Sequence, residues 1–195
     1  MGFLDRLFGG RFTMPPPEET DASHAAIMRE MRSPESVAQK QALKLFTQTL
    51  LARVPEAESA RLVRRVLRKY AVDQDPASAL TQGLLDTSRG QKLAELALLG
   101  VDWRGFDVFE YQAPYLVAAS GVQTPYHYEH TGTRPMEQVL ESFDQWLAGF
   151  GKRYLQLDSG DDDYVGFIVD ATCVEHTLGL ARQAGLTVTT CSHHE

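Results

Sequence analysis

Apolar residues recur at helical spacing through the first half of this chain and give way to short strand-like runs near its end. Ser33-Pro34-Glu35-Ser36 marks a helix start, with proline just inside the first turn. Val37, Leu43, Leu45, Phe46, Leu50 and Leu51 follow on a broad stripe. Val54-Pro55 ends it, because the residue before proline resists helical geometry. Pro55 opens a second helix, roughly Glu56–Tyr70, with Leu62, Val63, Val66, Leu67 and Tyr70 inward. Asp75-Pro76 starts a third, carrying Ala79, Leu80, Leu84 and Leu85. The pattern predicts a fourth, short helix over Gln91–Leu99, stopped by Gly100. Short links between such helices imply an antiparallel bundle.

The second half mixes the two periods. Phe106 to Ala119 has helical spacing, with Pro114 expected to kink it and a strand over 106–112 as the alternative, and Trp103 reads as a core anchor just before it. Met136, Val139, Leu140, Phe143, Trp146, Leu147 and Phe150 form the clearest amphipathic helix, with Thr133 as its cap and Pro135 in its first turn. Tyr154 to Leu157 and Tyr164 to Val169 read as strands joined by a Ser159-Gly160 turn, Gly166 marking a bulge or a close backbone approach. Asp170 caps a helix that runs to Ala184, and Leu186 to Thr189 makes a last strand. The fold class expected is α+β: an N-terminal helical bundle, then a small, mainly antiparallel sheet with helices on one face. The expected organisation is a segment 1–32, a helical subdomain 33–100 and an α+β subdomain 101–195, the latter two packed as one unit.

Residues 1–12 hold Phe3, Leu4, Leu7 and Phe8 on one helical face, with Arg6 and Arg11 beside them. That turn suits peripheral contact with a membrane surface, though a frayed or self-docked terminus is favoured. Pro15-Pro16-Pro17, followed by acids, reads as an extended tether. No apolar run is long enough to span a bilayer, and two cysteines are too few for a disulfide framework, so a cytoplasmic protein is expected.

Charge refines this picture. Of 19 basic and 26 acidic residues, the first hundred positions hold 14 and 12, the remainder 5 and 14. The net charge of −7 argues against nucleic acid as a partner, and its concentration in the second half favours a basic protein. Arg61, Arg64, Arg65, Arg68 and Lys69 line one helix, and they are expected to be solvated and partly neutralised by the acidic half. Asp158, Asp161, Asp162 and Asp163 crowd a single turn, more carboxylates than turn chemistry requires. Tyr126, His127, Tyr128 and His130 share a loop between Pro125 and Gly132. Two imidazoles there, with Asp161 and Asp163, are a candidate metal set if the loops converge. Cys173 is expected to be a buried structural thiol, and a bridge to Cys191 stays open. No glycine-rich phosphate loop or serine elbow is present.

Trp103 and the run Leu155-Gln156-Leu157-Asp158-Ser159-Gly160-Asp161-Asp162-Asp163-Tyr164, with the strand and helix after it, resemble an uncharacterised bacterial domain-of-unknown-function family. That family's pattern reads Leu-Asp-Thr-Gly-Asp-Asp-Ser-Tyr, from which Ser159 and Asp163 depart conservatively. The resemblance implies a small cytosolic protein and, by analogy with small acidic domains, an immunity-like role. Two functions are therefore expected. The first is a non-enzymatic protein that meets a basic partner through Asp158, Asp161, Asp162, Asp163, Tyr126 and Tyr128, without a cofactor. The alternative is a metal-assisted hydrolase using His127, His130, Asp161 and Asp163 with a divalent ion.

Overall fold

The computed structural model describes residues 34–191 except Thr131 and Thr133; the expected tether, the amphipathic turn of residues 1–12 and the Thr133 cap lie outside the described residues. From Ser36 onward the chain forms one compact unit. Helices α1 (Pro34–Leu50), α2 (Glu56–Asp73) and α3 (Pro76–Leu84) come first, then a 3-10 turn (Leu93–Glu95) and strand β1 (Leu99–Asp102). Helices α4 (Phe106–Ala119) and α5 (Met136–Ala148) lead to the hairpin β2 (Lys152–Leu157) and β3 (Asp163–Asp170). A second 3-10 turn (Ala171–Cys173), α6 (Val174–Gln183) and β4 (Val188–Thr190) complete an α+β architecture. The sheet order is β1-β3-β2-β4, with every neighbouring pair antiparallel.

The strands alternate burial between two cores. Leu155, Leu157, Val165 and Phe167 pack with Leu43 and Phe46 of α1, Leu62 and Val66 of α2, Leu80 of α3 and Ala181 of α6. Phe46 meets Phe167 edge-on at 5.7 Å, the geometry aromatic quadrupoles favour. The intervening residues face the other way. Leu99, Val101 and Tyr154 pack with Phe109 and Leu116 of α4 and with Val139, Phe143 and Leu147 of α5. Helices therefore cover both faces of the sheet, not one. Both faces of the hairpin carry large apolar side chains, and each needs a layer to exclude water.

Several boundaries differ from expectation for identifiable reasons. The fourth helix does not form; its residues make a 3-10 turn and enter β1. The Gln91 side chain takes the backbone N–H groups of Ala97 and Leu98 and donates to the Leu98 carbonyl, which holds this segment extended. Gly100 is no helix stop but a position in β1 paired with Val165, with Leu85 seated where a Cβ would stand. Asp170 does not cap a helix. It ends β3 opposite Lys152, whose Nζ donates to its carboxylate at 2.5 Å. The α1 stripe is narrower than expected, since Val37 and Leu45 are exposed while Ala42 and Thr47 fill the buried face. Pro114 sits inside α4 without ending it.

Gly166 produces no bulge and stays in register with both Leu99 and Gln156. The close approach is real: a Cβ there would run into the Tyr154 ring and hydroxyl. The cationic face of α2 is tied to its own half of the chain. Arg61 binds Glu58 and the carbonyls of Arg89 and Gly90, and Arg65 binds Asp86 and the Gly83 carbonyl. These arginines clamp the α3 exit rather than await the acidic C-terminal residues.

Candidate functional site

The β2–β3 turn concentrates carboxylates by its own backbone logic. Gly160 takes φ of 79°, a conformation glycine reaches without strain. The Asp158 carboxylate accepts the Gly160 N–H at 3.0 Å, and the Ser159 hydroxyl accepts that of Asp161 at 3.3 Å. One aspartate and one serine thus serve the turn. Asp161, Asp162 and Asp163 are left exposed and make no ion pair among the described residues. Asp163 also stands opposite Asp102 in the β1–β3 register. Like charges so placed oppose pairing of the strands.

The turn forms one wall of a groove of about 420 Å³. Asp161 and Asp163 face Lys69 of α2, Gln82 of α3, and Asp86 and Thr87 beyond α3. The Ser88 hydroxyl and the N–H groups of Ser88 and Arg89 bind the Asp86 carboxyl, and Arg65 adds its charge; together they hold it far below the usual carboxylate range. The Lys69 ammonium donates to Gln82 Oε1 at 3.0 Å. Of the three carboxylates in the groove Asp86 is already paired with Arg65, so the two unpaired turn carboxylates, Asp161 and Asp163, face one ammonium, a field that favours a cationic guest. Gln82 and Asp86 carry no functional signal of their own in the sequence, and Lys69 enters it only as part of a solvated cationic helix face. Asp86-Thr87-Ser88 did carry the signature of an aspartate turn, but nothing local placed it beside residues 161–163.

The loop carrying the histidines belongs to the second core. Tyr126 is buried against Phe143 and Trp146, with ring centroids at 4.7 and 4.9 Å, so it anchors the loop rather than offering a contact surface. Burial first, and Tyr128 beside it, push its phenol well above the usual tyrosine range. Tyr128 is half-buried, its hydroxyl 3.0 Å from His130 Nδ1, and burial above all raises its phenol as well. His130 stacks on Phe106 at 3.8 Å, and His127 is exposed. Among the described residues no three His, Cys, Asp or Glu side chains are grouped to hold a metal ion. His127, His130, Asp161 and Asp163 therefore do not converge as the hydrolase expectation requires.

Trp103 is not a core anchor. It is 51% exposed, and the Arg104 guanidinium lies 3.9 Å over its ring. It follows directly on Asp102, so it borders the acidic end of the sheet. Nearby, Tyr164 donates to Glu137 at 2.9 Å; burial, then this bond, push its phenol up to about 12. Cys173 is exposed, not buried, and both it and Cys191 are free thiols.

Among the described residues, no helix is long and apolar enough to cross a membrane. No curated protein matches the chain, and no solved structure does. The family model described as a domain of unknown function, DUF6630, matches residues 25–191, and the chain belongs to that family.

Proposed function

We propose that this DUF6630 protein is a non-enzymatic binding protein that engages a basic protein surface through its acidic groove. The observation that carries this reading is the set of exposed turn carboxylates left without an ion pair, Asp161 and Asp163 among them, lining a groove whose third carboxylate, Asp86, is held by Arg65 and whose one ammonium is Lys69. A lysine or arginine side chain of the partner enters between the hairpin turn and α3, while Asp158 and Asp162 extend the negative field and speed encounter. Trp103 supplies an exposed aromatic at the same end of the sheet, the residue type enriched where interfaces bind tightly. Such a surface suits an immunity-like neutraliser of a basic protein.

The test is affinity capture from the native host, comparing wild type with the Asp161→Asn, Asp162→Asn, Asp163→Asn triple variant, followed by calorimetry on the recovered partner. Exposed ion pairs contribute on the order of 0.2–1 kcal/mol each, so the triple variant weakens binding by roughly tenfold. The partner is basic, and raised salt weakens its binding. A partner list and affinity unaltered by the triple variant overturns the proposal.

A further inference from the structure

A second cavity, of about 210 Å³, lies away from the acidic groove. It opens where β3 runs past the start of β1: Gly166 pairs with Leu99, but Phe167 to Asp170 pair only with β2. The uncovered strand edge is walled by the exit of α1, the 3-10 turn at Leu93–Glu95, the end of α4 and the start of α6. The volume far exceeds the ~10–15 Å³ one water needs and falls short of the ~300–1,000 Å³ of drug-sized pockets. A cavity of this size has room for a molecule of few heavy atoms.

The polar groups in this cavity are unevenly satisfied. Lys152, its side chain only 10% exposed, spends one N–H on Asp170. Arg53 lies 3.6 Å from the same carboxylate, so the three charges leave one net positive. Arg53 is held over Gly121, where a Cβ would stand 2.6 Å from its guanidinium and φ is 89°. Glu95 also lines the cavity; its Oε2 is buried and accepts no hydrogen bond, with Lys92 Nζ 3.9 Å away. Thr177 is fully buried, and its hydroxyl has no partner. A threonine inside a helix ordinarily returns its hydroxyl to the carbonyl one turn back; this one does not. Leu50, Leu96, Leu116 and Ile168 are apolar residues of the same lining.

We propose that this cavity binds a small zwitterion, an α-amino acid with a branched aliphatic side chain. The carboxylate meets Lys152 and Arg53, the ammonium meets Glu95 Oε2, the Thr177 hydroxyl bonds the ligand, and the alkyl group packs on the leucines. Buried polar atoms without partners are rare in native proteins because each forfeits its hydration. Here the two residues that carry them, Glu95 and Thr177, line one cavity with Lys152, and a zwitterion offers a partner to all three.

Calorimetry and protein-observed NMR on the full chain test this with leucine, valine and 4-methylpentanoate, which has the carboxylate and alkyl group but no ammonium. Leucine or valine saturates the protein, and 4-methylpentanoate binds about tenfold more weakly or worse, having lost one charge-assisted bond. Glu95→Gln reduces amino-acid binding but leaves 4-methylpentanoate binding unchanged, a signature that a merely structural role would not give. Thr177→Val raises the melting temperature of the free protein while weakening leucine. The triple Asn variant of the hairpin turn binds leucine as wild type does, which separates this site from the acidic groove. The inference is overturned if neither amino acid saturates at millimolar concentration, or if binding persists unchanged in both Glu95→Gln and Thr177→Val.

Discussion

The sharpest packing prediction concerns Tyr154 and Gly166 on adjacent strands. Tyr154 is fully buried, and its hydroxyl has no partner. Burial, chiefly, and the neighbouring Cys191 push its phenol far above the usual range. The hydroxyl occupies the space that a side chain at Gly166 would take. Tyr154→Phe removes a polar atom that gained nothing on folding, so it stabilises the protein by about 1 kcal/mol, within the ~1–3 kcal/mol cost of an orphaned group. Gly166→Ala overpacks the same spot and costs about 1–3 kcal/mol. In the Tyr154→Phe background the hydroxyl contact is gone while the ring carbon Cζ and the Leu155 carbonyl, at 2.7 Å, remain, so the alanine costs less but still costs. A double-mutant cycle in urea therefore shows coupling of about 0.5 kcal/mol, the low end for residues in contact, because only one of the three close contacts is removed. Calorimetry shows Tyr154→Phe melting about 2–4 °C higher, by the scaling for a domain of this size. Equal cost of Gly166→Ala in both backgrounds, or clear destabilisation by Tyr154→Phe, refutes the reasoning.

Four further outcomes follow from the same structure. Asp144, 4% exposed, receives Arg153 through Nε and Nη2 and also the Tyr154 N–H at 2.6 Å; Asp144→Ala strands these donors and costs about 2–3 kcal/mol by chemical denaturation, near the low end for breaking a buried pair because Arg153 is partly exposed. Asp163→Asn relieves the like charge opposite Asp102 and stabilises the free protein by a few tenths of a kcal/mol, roughly the scale of cross-strand pairs, as a thermal melt at low salt will show. Cys173 reacts with a thiol reagent at neutral pH much faster than Cys191, whose thiol is pushed up to about 12 by burial first and then by Asp144 and Glu141, so a colorimetric assay resolves one fast and one slow equivalent. Glu58, Asp86 and Asp170 all have carboxyl groups held below their ordinary values, by a bond from Arg61, bonds from Ser88, and a bond from Lys152 respectively; their stabilisation is present above the unfolded carboxylate range and is lost as pH falls below about 4 toward the folded values, so urea midpoints decline through that window.

How much of this was legible in the sequence depends on how far apart the deciding residues lie. Helix α4 could be read because Phe109, Ala113, Leu116 and Val117 repeat on one face, and proline at position 114 did not override that packing. The hairpin could be read from its alternation, although only the buried residues on both faces reveal that it needs two helical layers. Strand β1 could not be read: four residues give too short a pattern, and the side chain that pulls the preceding segment out of helical geometry is Gln91, a residue with no strand signal of its own. Trp103 was misread because an aromatic just outside a helix looks the same in sequence whether the chain turns it inward or out.

The candidate sites show the same limit more sharply. The four aspartates of the hairpin turn are adjacent, and composition alone exposed them. What makes them a groove is Asp86, some seventy-five residues earlier and locked in its ionised form by a local turn. The charge asymmetry between the halves of the chain was therefore an incomplete guide. The near-balanced half contributes Asp86 together with the Arg65 that pairs it and spends Arg61 on Glu58 and two carbonyls, so among the described residues no arginine pairs with the acidic turn. The acidic half, in turn, spends Lys152 on Asp170 and Arg153 on Asp144. Net charge averages over pairs that folding has already used. A partner responds to the carboxylates left over, and these are defined only once the cations have been assigned.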